Sequence, residues 1–405
     1  MEPFSLEKLF KVNSNIVFFN DKDTDEIILY NTVSNENINI SQVMYEIIYV
    51  FFVARTLESA IKEFQKKFNF NKEECKEIIE NLLENRIILE YEYENKKTSQ
   101  IIDGMFGTSI IPLSDILSSS LTNIVFLGFP YDLSVTYKSG CKFAPNAIRK
   151  ASTSIFNYKL ENNNPIGSWS DIENRQILKN IFMADCGDIN FTVGHRNGRE
   201  FDYLREIVSK IIKKKKFPVI IGGDHSISLA NILGATDVYN KIGIIHLDAH
   251  SDYGTDKIDE WQKNCHHGNF MNWVASNDKV EVIAQMGIRQ LREKKICNKK
   301  FHIWPGRNAI YEMQNILETL PQDIPYYITF DIDSLDPSII KSTGTPLPNG
   351  FLYNEVIDLL KFICSNLNII GLDVVEYIPS EESEAAMISN IILTVIDYVS
   401  KEAIK

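Results

Sequence analysis

Four short segments of the chain end in carboxylates and imidazoles of the kind that hold metal ions. They are Gly222-Gly223-Asp224-His225-Ser226, Asp248-Ala249-His250-Ser251-Asp252, Asp331-Ile332-Asp333 with Asp336-Pro337 behind it, and Glu376 in Leu372-Asp373-Val374-Val375-Glu376. Asp248, Asp252, Asp331 and Asp333 would bring four negative charges into one cleft, a load that two divalent cations balance. Without metal, carboxylates so crowded could not all stay ionised. Oxygen and imidazole ligands with no cysteine among them favour Mn²⁺, Mg²⁺ or Zn²⁺ over thiolate-seeking metals. Water shared by two such cations loses a proton near neutral pH and becomes a nucleophile. A single Asp or His at a strand end is ordinarily a cap or a solvated loop residue. Four such segments in one chain point instead to a metallohydrolase.

The elements that must position these residues are legible beside them. Each segment follows an apolar, β-branched run: Phe217–Ile221, Ile242–Leu247, Tyr326–Phe330 and Ile369–Leu372. Such runs read as parallel strands buried on both faces, and ligands bind beyond the carboxyl ends of strands in open α/β sheets. Over residues 121–405 the pattern predicts eight strands: Ile124–Phe129, Ile181–Ala184, Phe217–Ile221, Ile242–Leu247, Val280–Met286, Phe301–Trp304, Tyr326–Phe330 and Ile369–Val375. Helical patterns such as Glu200–Ile212 and Tyr353–Leu367 separate most of them. The alternation specifies βαβ units and an α/β fold, a three-layer α/β/α sandwich around a parallel sheet. The polar stretch Asn162–Asn180 reads as a surface insertion near the site entrance, and the Lys213–Lys216 run as a helix end before a strand.

From about Asn123 to the C-terminus the chain resembles the arginase, agmatinase and formiminoglutamase family, the ureohydrolases. Besides the four segments, the resemblance rests on Gly128-Phe129-Pro130-Tyr131-Asp132, on Gly140 with Ala144-Pro145-Asn146-Ala147-Ile148-Arg149, on Gly287-Ile288-Arg289 and on Gly344-Thr345-Pro346 with Gly350. It implies two Mn²⁺ per chain, one bound by His225, Asp248, Asp252 and Asp331 and the other by His250, Asp248, Asp331 and Asp333. It implies further that His267, with Asp252, moves protons and that Glu376 pairs with the substrate guanidinium. A carboxylate suits a planar cation with forked donors. His266 stands next to His267, so a register shift of one would exchange them; the following Gly268 favours His267. The implied reaction is attack of water on the guanidinium carbon and departure of urea.

Departures from the arginase pattern bear on the substrate. The positions where arginases carry a Ser-x-Asn pair for the α-carboxylate and α-amino groups hold Lys263 and Cys265 here. The position of their α-amino-binding aspartate holds Arg292, which could hold a carboxylate. The grip on free arginine is therefore missing.

Residues 1–95 read as a separate module. Strands are expected at Ile16–Phe19, Glu26–Tyr30 and Ile38–Ile40, helices at Ser41–Val53, Leu57–Phe68 and Lys72–Asn85, and a last strand at Ile87–Tyr93. Leu57, Ile61 and Phe64 have the spacing of a core-facing stripe. The order is winged-helix-like, but residues 1–94 carry 18 Asp+Glu against 10 Lys+Arg, which disfavours DNA. The module resembles the peptide-recognition domains of enzymes that modify ribosomally made peptides, through its element order, Ile27-Ile28-Leu29-Tyr30-Asn31 and Leu82-Leu83-Glu84-Asn85-Arg86-Ile87-Ile88. In that family a leader peptide adds as a strand to a sheet edge. With the missing amino-acid grip, this favours arginines of a precursor peptide as substrate, converted to ornithine. A small-molecule guanidino or formimino substrate is the alternative, and a non-catalytic binding protein a third reading. Residues 96–120 read as a linker and 121–405 as the catalytic domain.

Composition sets the remaining expectations. The net charge of −12 gives no reason to expect nucleic-acid or phospholipid partners. Six scattered cysteines without CxxC pairs fit a reduced compartment. No apolar stretch is long enough to span a membrane, and Met1-Glu2-Pro3-Phe4 begins no signal sequence. A cytoplasmic enzyme, free to form a homo-oligomer, is the expectation.

Overall fold

A computed structural model describes residues 8–13, 16–20, 27–31, 37–90, 104–189, 199–254 and 261–402. The catalytic part is built on eight strands: β1 (Ile124–Gly128), β2 (Met183–Asp188), β3 (Phe217–Ile221), β4 (Ile242–Leu247), β5 (Val280–Met286), β6 (Phe301–Trp304), β7 (Tyr326–Asp331) and β8 (Ile369–Val375). They form one sheet in the order β2-β1-β3-β8-β7-β4-β5-β6, and every neighbouring pair is parallel. All eight expected strands are present. Seven keep their expected ends to within a residue; β2 starts two residues late and runs on to Asp188.

The central strands are apolar on both faces because helices cover both faces. One layer includes Tyr353–Asn366, which buries Val356, Leu359, Leu360 and Ile363, and Glu382–Glu402, which buries Ile388, Ile391, Ile392, Val395 and Ile396. Those positions recur every three or four residues, as a single apolar helix face demands. The opposite layer includes Arg199–Lys213 and the almost wholly buried Ile227–Thr236. The lysine run ends the first of these helices at Lys213, and β3 starts at Phe217.

Arg149, from the Ala144–Arg149 motif, is buried at the edge of the sheet. Its Nε and Nη2 reach both oxygens of Asp185 at 2.8 and 3.1 Å, and Nη1 pairs with Asp188. Removing one partner of such a buried pair costs roughly 3–5 kcal/mol. Asp185 also accepts the backbone N–H of Met105 at 2.8 Å.

That last bond corrects the expected linker. Residues 104–118 are folded onto the catalytic part: Met105 and Phe106 are fully buried in its core, and a short helix, Leu113–Ser118, follows. The apolar residues Met105, Phe106, Ile110, Leu113 and Ile116 explain the docking, which the polar ends of the stretch conceal. Residues 96–103 lie outside the described residues. The insertion is also placed differently from expectation. It forms two short hairpins, Arg175 pairs with Asp397, and Glu173 meets Lys361 and Tyr398. It thus packs on the C-terminal helices, and no residue of it lines the cleft described below.

The N-terminal module has its own core of Phe18, Leu29, Tyr45, Ile48, Phe51, Phe64, Ile79 and Leu82, among others. Ile16–Asn20, Ile27–Asn31 and Asn37–Ile40 make an antiparallel three-stranded sheet. Helices Gln42–Tyr49, Leu57–Phe68 and Lys72–Glu84 follow, the last begun by a capping box of Asn71 and Glu74. A strand not expected from the sequence, Leu9–Val12, pairs with Arg55–Thr56 and Ile88–Glu90. The module leans on the catalytic part: the Tyr49 ring lies 4.5 Å from that of Tyr203, and Val53 joins the catalytic core. Among the described residues no helix is long and apolar enough to cross a membrane.

Candidate active site

The strands β3, β4, β7 and β8 are neighbours in the sheet, so the four segments that follow them meet at one edge. After β3 the chain turns at Gly223, where an added Cβ would lie 1.6 Å from the carbonyl oxygen of Tyr131. Only glycine fits that approach. The turn presents His225, whose side chain is almost entirely buried. Its Nδ1 lies 3.1 Å from Asp248 Oδ2, 3.0 Å from Asp252 Oδ2 and 3.1 Å from Asp331 Oδ2. Beside this group His250 Nδ1 stands 2.9 Å from Asp333 Oδ2 and 3.4 Å from Asp248 Oδ1. All six residues expected as metal ligands therefore converge, with Asp248 between the two clusters.

The tautomer of His225 tests whether these residues fit a cation. Its Nε2 is 2.8 Å from Thr329 Oγ1, and Thr329 gives its single hydroxyl proton to Asp373 at 2.7 Å. Thr329 must then accept from His225, which puts the ring proton on Nε2. With the ring neutral, Nδ1 turns a buried lone pair toward three carboxylate oxygens; with no cation there, burial would lower the ring's pKa but Asp248, Asp252 and Asp331 outweigh it and raise it well above its ordinary value. A divalent cation is the partner such a lone pair and three anions share.

Electrostatics give the same answer. Burial raises Asp331 well above the ordinary carboxylate range, and Asp333 and Asp248 add to it. Asp333 is pushed up to about 6 by burial and by Asp248. Burial alone would lower His250, yet Asp248 and Asp333 push it to about 12. A site that must hold protons to balance its charge is a site built for cations.

A row of polar residues behind the ligands was not singled out in the sequence. Gln285, His246, Thr329 and Asp373 are register partners across β5, β4, β7 and β8. His246 Nε2 reaches Asp248 Oδ2 at 2.8 Å, and Gln285 donates to His246 Nδ1 at 2.9 Å. Asp373 accepts from Thr329, Ser228 and Asn231. These contacts fix the orientation of the converging side chains, as the outer partners of metal-bound groups do. The available signal was a polar residue close to the carboxyl end of each of four largely apolar strands.

On the other side of the cleft His267 Nδ1 is 3.1 Å from Glu376 Oε1, and the same oxygen accepts the backbone N–H of His225 at 2.8 Å. Thr136 donates its backbone N–H to His267 Nε2 at 3.0 Å. His266 instead accepts from Gly268 and takes no part in this pair. It is His267, not His266, that the structure brings beside Glu376. Burial lowers the His267 pKa, but Glu376 outweighs it and raises the group above its ordinary value. Asp224, behind them, is pushed to about 7 by burial and by Glu376. Glu376 and Asp252 both hold positive φ, 65° and 45°. For residues other than glycine this costs on the order of 1–2 kcal/mol each, and such strain concentrates at functional sites.

Arg289 fastens the far wall. Its guanidinium donates to the carbonyls of Asp333, Leu347 and Pro348 and so ties the Gly344–Gly350 loop to the Asp331–Asp333 segment. The cleft holds about 600 Å³, within the range of small-molecule sites, and its lining runs from His225, Asp252 and Glu376 outward to Arg292, Lys294 and Lys295. Arg292 is therefore at the mouth, not among the ligands.

The sequence pattern described as the arginase family matches residues 122–399. An agmatinase of Blochmanniella floridana is 30% identical over 295 residues, 70% of this chain and 90% of the relative. The structure of proclavaminate amidino hydrolase from Streptomyces clavuligerus superimposes with a TM-score of 0.63 at 24% identity, over 76% of this chain and 99% of that one. The arginase of Bacillus caldovelox does so with a TM-score of 0.55 at 21% identity, over 68% and 98%. At those identities the two structures speak for the fold.

Proposed function

The chain belongs to the arginase family of ureohydrolases, hydrolases of guanidino C–N bonds, and from that premise we propose that it releases urea from a small linear guanidino compound other than free arginine. The observation that carries the reading is the buried lone pair of His225 among three carboxylates, with Glu376 and His267 facing it. The absent arginine grip (Lys263, Cys265 and Arg292 at its positions) argues against the free amino acid.

His225, Asp248, Asp252 and Asp331 would hold one Mn²⁺, and His250, Asp248, Asp331 and Asp333 the other. Such a pair supplies a water that is deprotonated near neutral pH and a field that stabilises negative charge. Glu376 accepts guanidinium N–H groups and turns the carbon, not a nitrogen, toward the ligand clusters. His267 holds a proton at Nδ1 beside Glu376, where the departing nitrogen must be protonated. Asp252 is placed to take a proton from the attacking water. The balance is R–NH–C(NH₂)₂⁺ + H₂O → R–NH₃⁺ + OC(NH₂)₂.

The test is urea release by the full chain purified with Mn²⁺, offered N-butylguanidine, other four-carbon guanidino compounds and arginine. Turnover of the compounds without an α-amino acid head, well above that of arginine, is expected. Absence of urea from all of them would sink the reading.

A second reading is favoured by one observation. The N-terminal module has its own core, and its three-stranded sheet ends at Asn37–Ile40. Under that reading the module holds the leader of a ribosomally made peptide, and arginines of the peptide become ornithine. The agmatinase similarity over the catalytic part supports the small-molecule reading more directly.

A further inference from the structure

The floor of the cleft is fully assigned, and its mouth is not. Arg292, Glu293, Lys294 and Lys295 line the outer end, on the loop that follows β5 and Arg289. Three cations stand there against one carboxylate. All four residues are exposed, and none of their side chains has a hydrogen-bond or ion-pair partner among the described residues. The other described outer residues of the lining, Thr136, Tyr253, Gly254, Gln290, Cys297 and Thr345, include no Asp, Glu, Lys or Arg. The cleft is therefore polarised. Its inner end presents Glu376 to a cation, and its outer end presents cations that are not engaged elsewhere. A polar site discriminates by the groups a wrong ligand would leave unpaired or repelled.

We propose that the substrate is an ω-guanidino carboxylate, and that Arg292, Lys294 and Lys295 select the carboxylate at its remote end. The inference rests on the ureohydrolase reading above and names the substrate class for it. An ammonium at the remote end, as in agmatine, meets like charge at the mouth. A carboxylate there meets up to three cations, of which Arg292 offers two parallel N–H donors. Because the rim is open to solvent, the preference is electrostatic and weakens with salt.

The experiment is urea release, with Mn²⁺-loaded full chain, from three compounds that differ only at the remote end: 4-guanidinobutanoate, N-butylguanidine and agmatine. The expected order of kcat/KM is acid, then neutral, then amine, with at least tenfold between the extremes at low salt and less at 0.5 M salt. The triple variant Arg292→Glu, Lys294→Glu, Lys295→Glu should reverse the ratio of acid to amine, while an unchanged melting curve shows that it folds. Agmatine turned over as well as the acid by the wild type, or a ratio unmoved by the triple variant, overturns the inference and leaves the ureohydrolase reading intact. No urea from any of the three overturns that reading itself, and the inference with it.

Discussion

One oxygen of Glu376 joins both halves of the site: Oε1 is 3.1 Å from His267 Nδ1 and accepts the backbone N–H of His225 at 2.8 Å. The carboxylate that faces the cleft thus also raises the pKa of the neighbouring histidine and steadies the turn that carries His225. Glu376→Gln should lower kcat/KM at least 100-fold, about 3 kcal/mol of transition-state stabilisation, while metal content stays near normal. The same change should lower the His267 pKa, because the raising influence of Glu376 is lost and only the more distant charges of Asp252 and Asp224 remain to oppose burial. NMR titration of the ring in the two proteins checks this; a higher pKa in the variant would contradict it.

The shared position of Asp248 predicts coupled loss of metal. Its Oδ2 faces His225 and its Oδ1 faces His250, so Asp248→Asn should remove both Mn²⁺ together, as elemental analysis after gel filtration would read. Thr329→Val and Gln285→Leu replace no expected ligand. They should still weaken Mn²⁺ binding roughly 10–100-fold, because the first frees the His225 tautomer and the second unlocks His246. Undiminished affinity in both would deny the polar row its orienting role.

Stability of the metal-free protein should fall as pH rises, the reverse of what an acid-labile salt-bridge cluster gives. Asp333 is raised to about 6 in the fold and Asp331 is raised too, so between the unfolded value of about 4 and the folded one the native state binds more protons. His225 and His250 are raised as well, and their contribution is fully present below about 6.5 and is lost as pH climbs through their folded values. Asp248, which is lowered, has completed its opposite change below the unfolded value. All contributions above pH 5 therefore share one sign. Melting of chelator-treated protein should occur at lower temperature at pH 8 than at pH 5.5, and added Mn²⁺ should abolish or invert the trend. A rise in melting temperature with pH without metal would contradict the cluster's charge balance.

How much of this was legible in the sequence depended on periodicity and locality. The eight strands were visible because each is a predominantly apolar run, and the candidate ligands because their segments directly follow three of those runs. The pairing of Leu9–Val12 with Ile88–Glu90 was not, since four residues of mixed polarity signal nothing until their distant partner is known. Residues 104–118 were misread because a few apolar side chains between polar ends look like a linker when Asp185, their anchor, lies 80 residues on. His246, Thr329 and Asp373 were missed for a related reason. A polar residue inside a strand declares a function only when the register sets it beside others.

The contact of Tyr49 with Tyr203 decides how the role of the N-terminal module can be tested. The rings meet at 4.5 Å, and Val53 is buried in the catalytic core, so a simple truncation uncovers an apolar face and risks aggregation. A cut after residue 120 would also remove Met105 and Phe106 from the core, so the shortened chain should begin near residue 100 and carry Tyr203→Ser. If the module is an appendage, this chain should hydrolyse small guanidino compounds with kcat/KM within about threefold of the full chain, since no described residue of the module lines the cleft. Under the peptide reading, a leader held by the module would keep core arginines at millimolar effective concentration. The full chain should then convert arginine to ornithine in a leader-bearing peptide far faster than in a leaderless one, and the shortened chain should show no difference. Mass spectrometry of the peptides and urea from the small compounds, measured on the same two preparations, separate the readings. Equal rates with and without leader in the full chain would exclude the peptide reading, whereas a leader effect together with negligible small-molecule turnover would displace the small-molecule one.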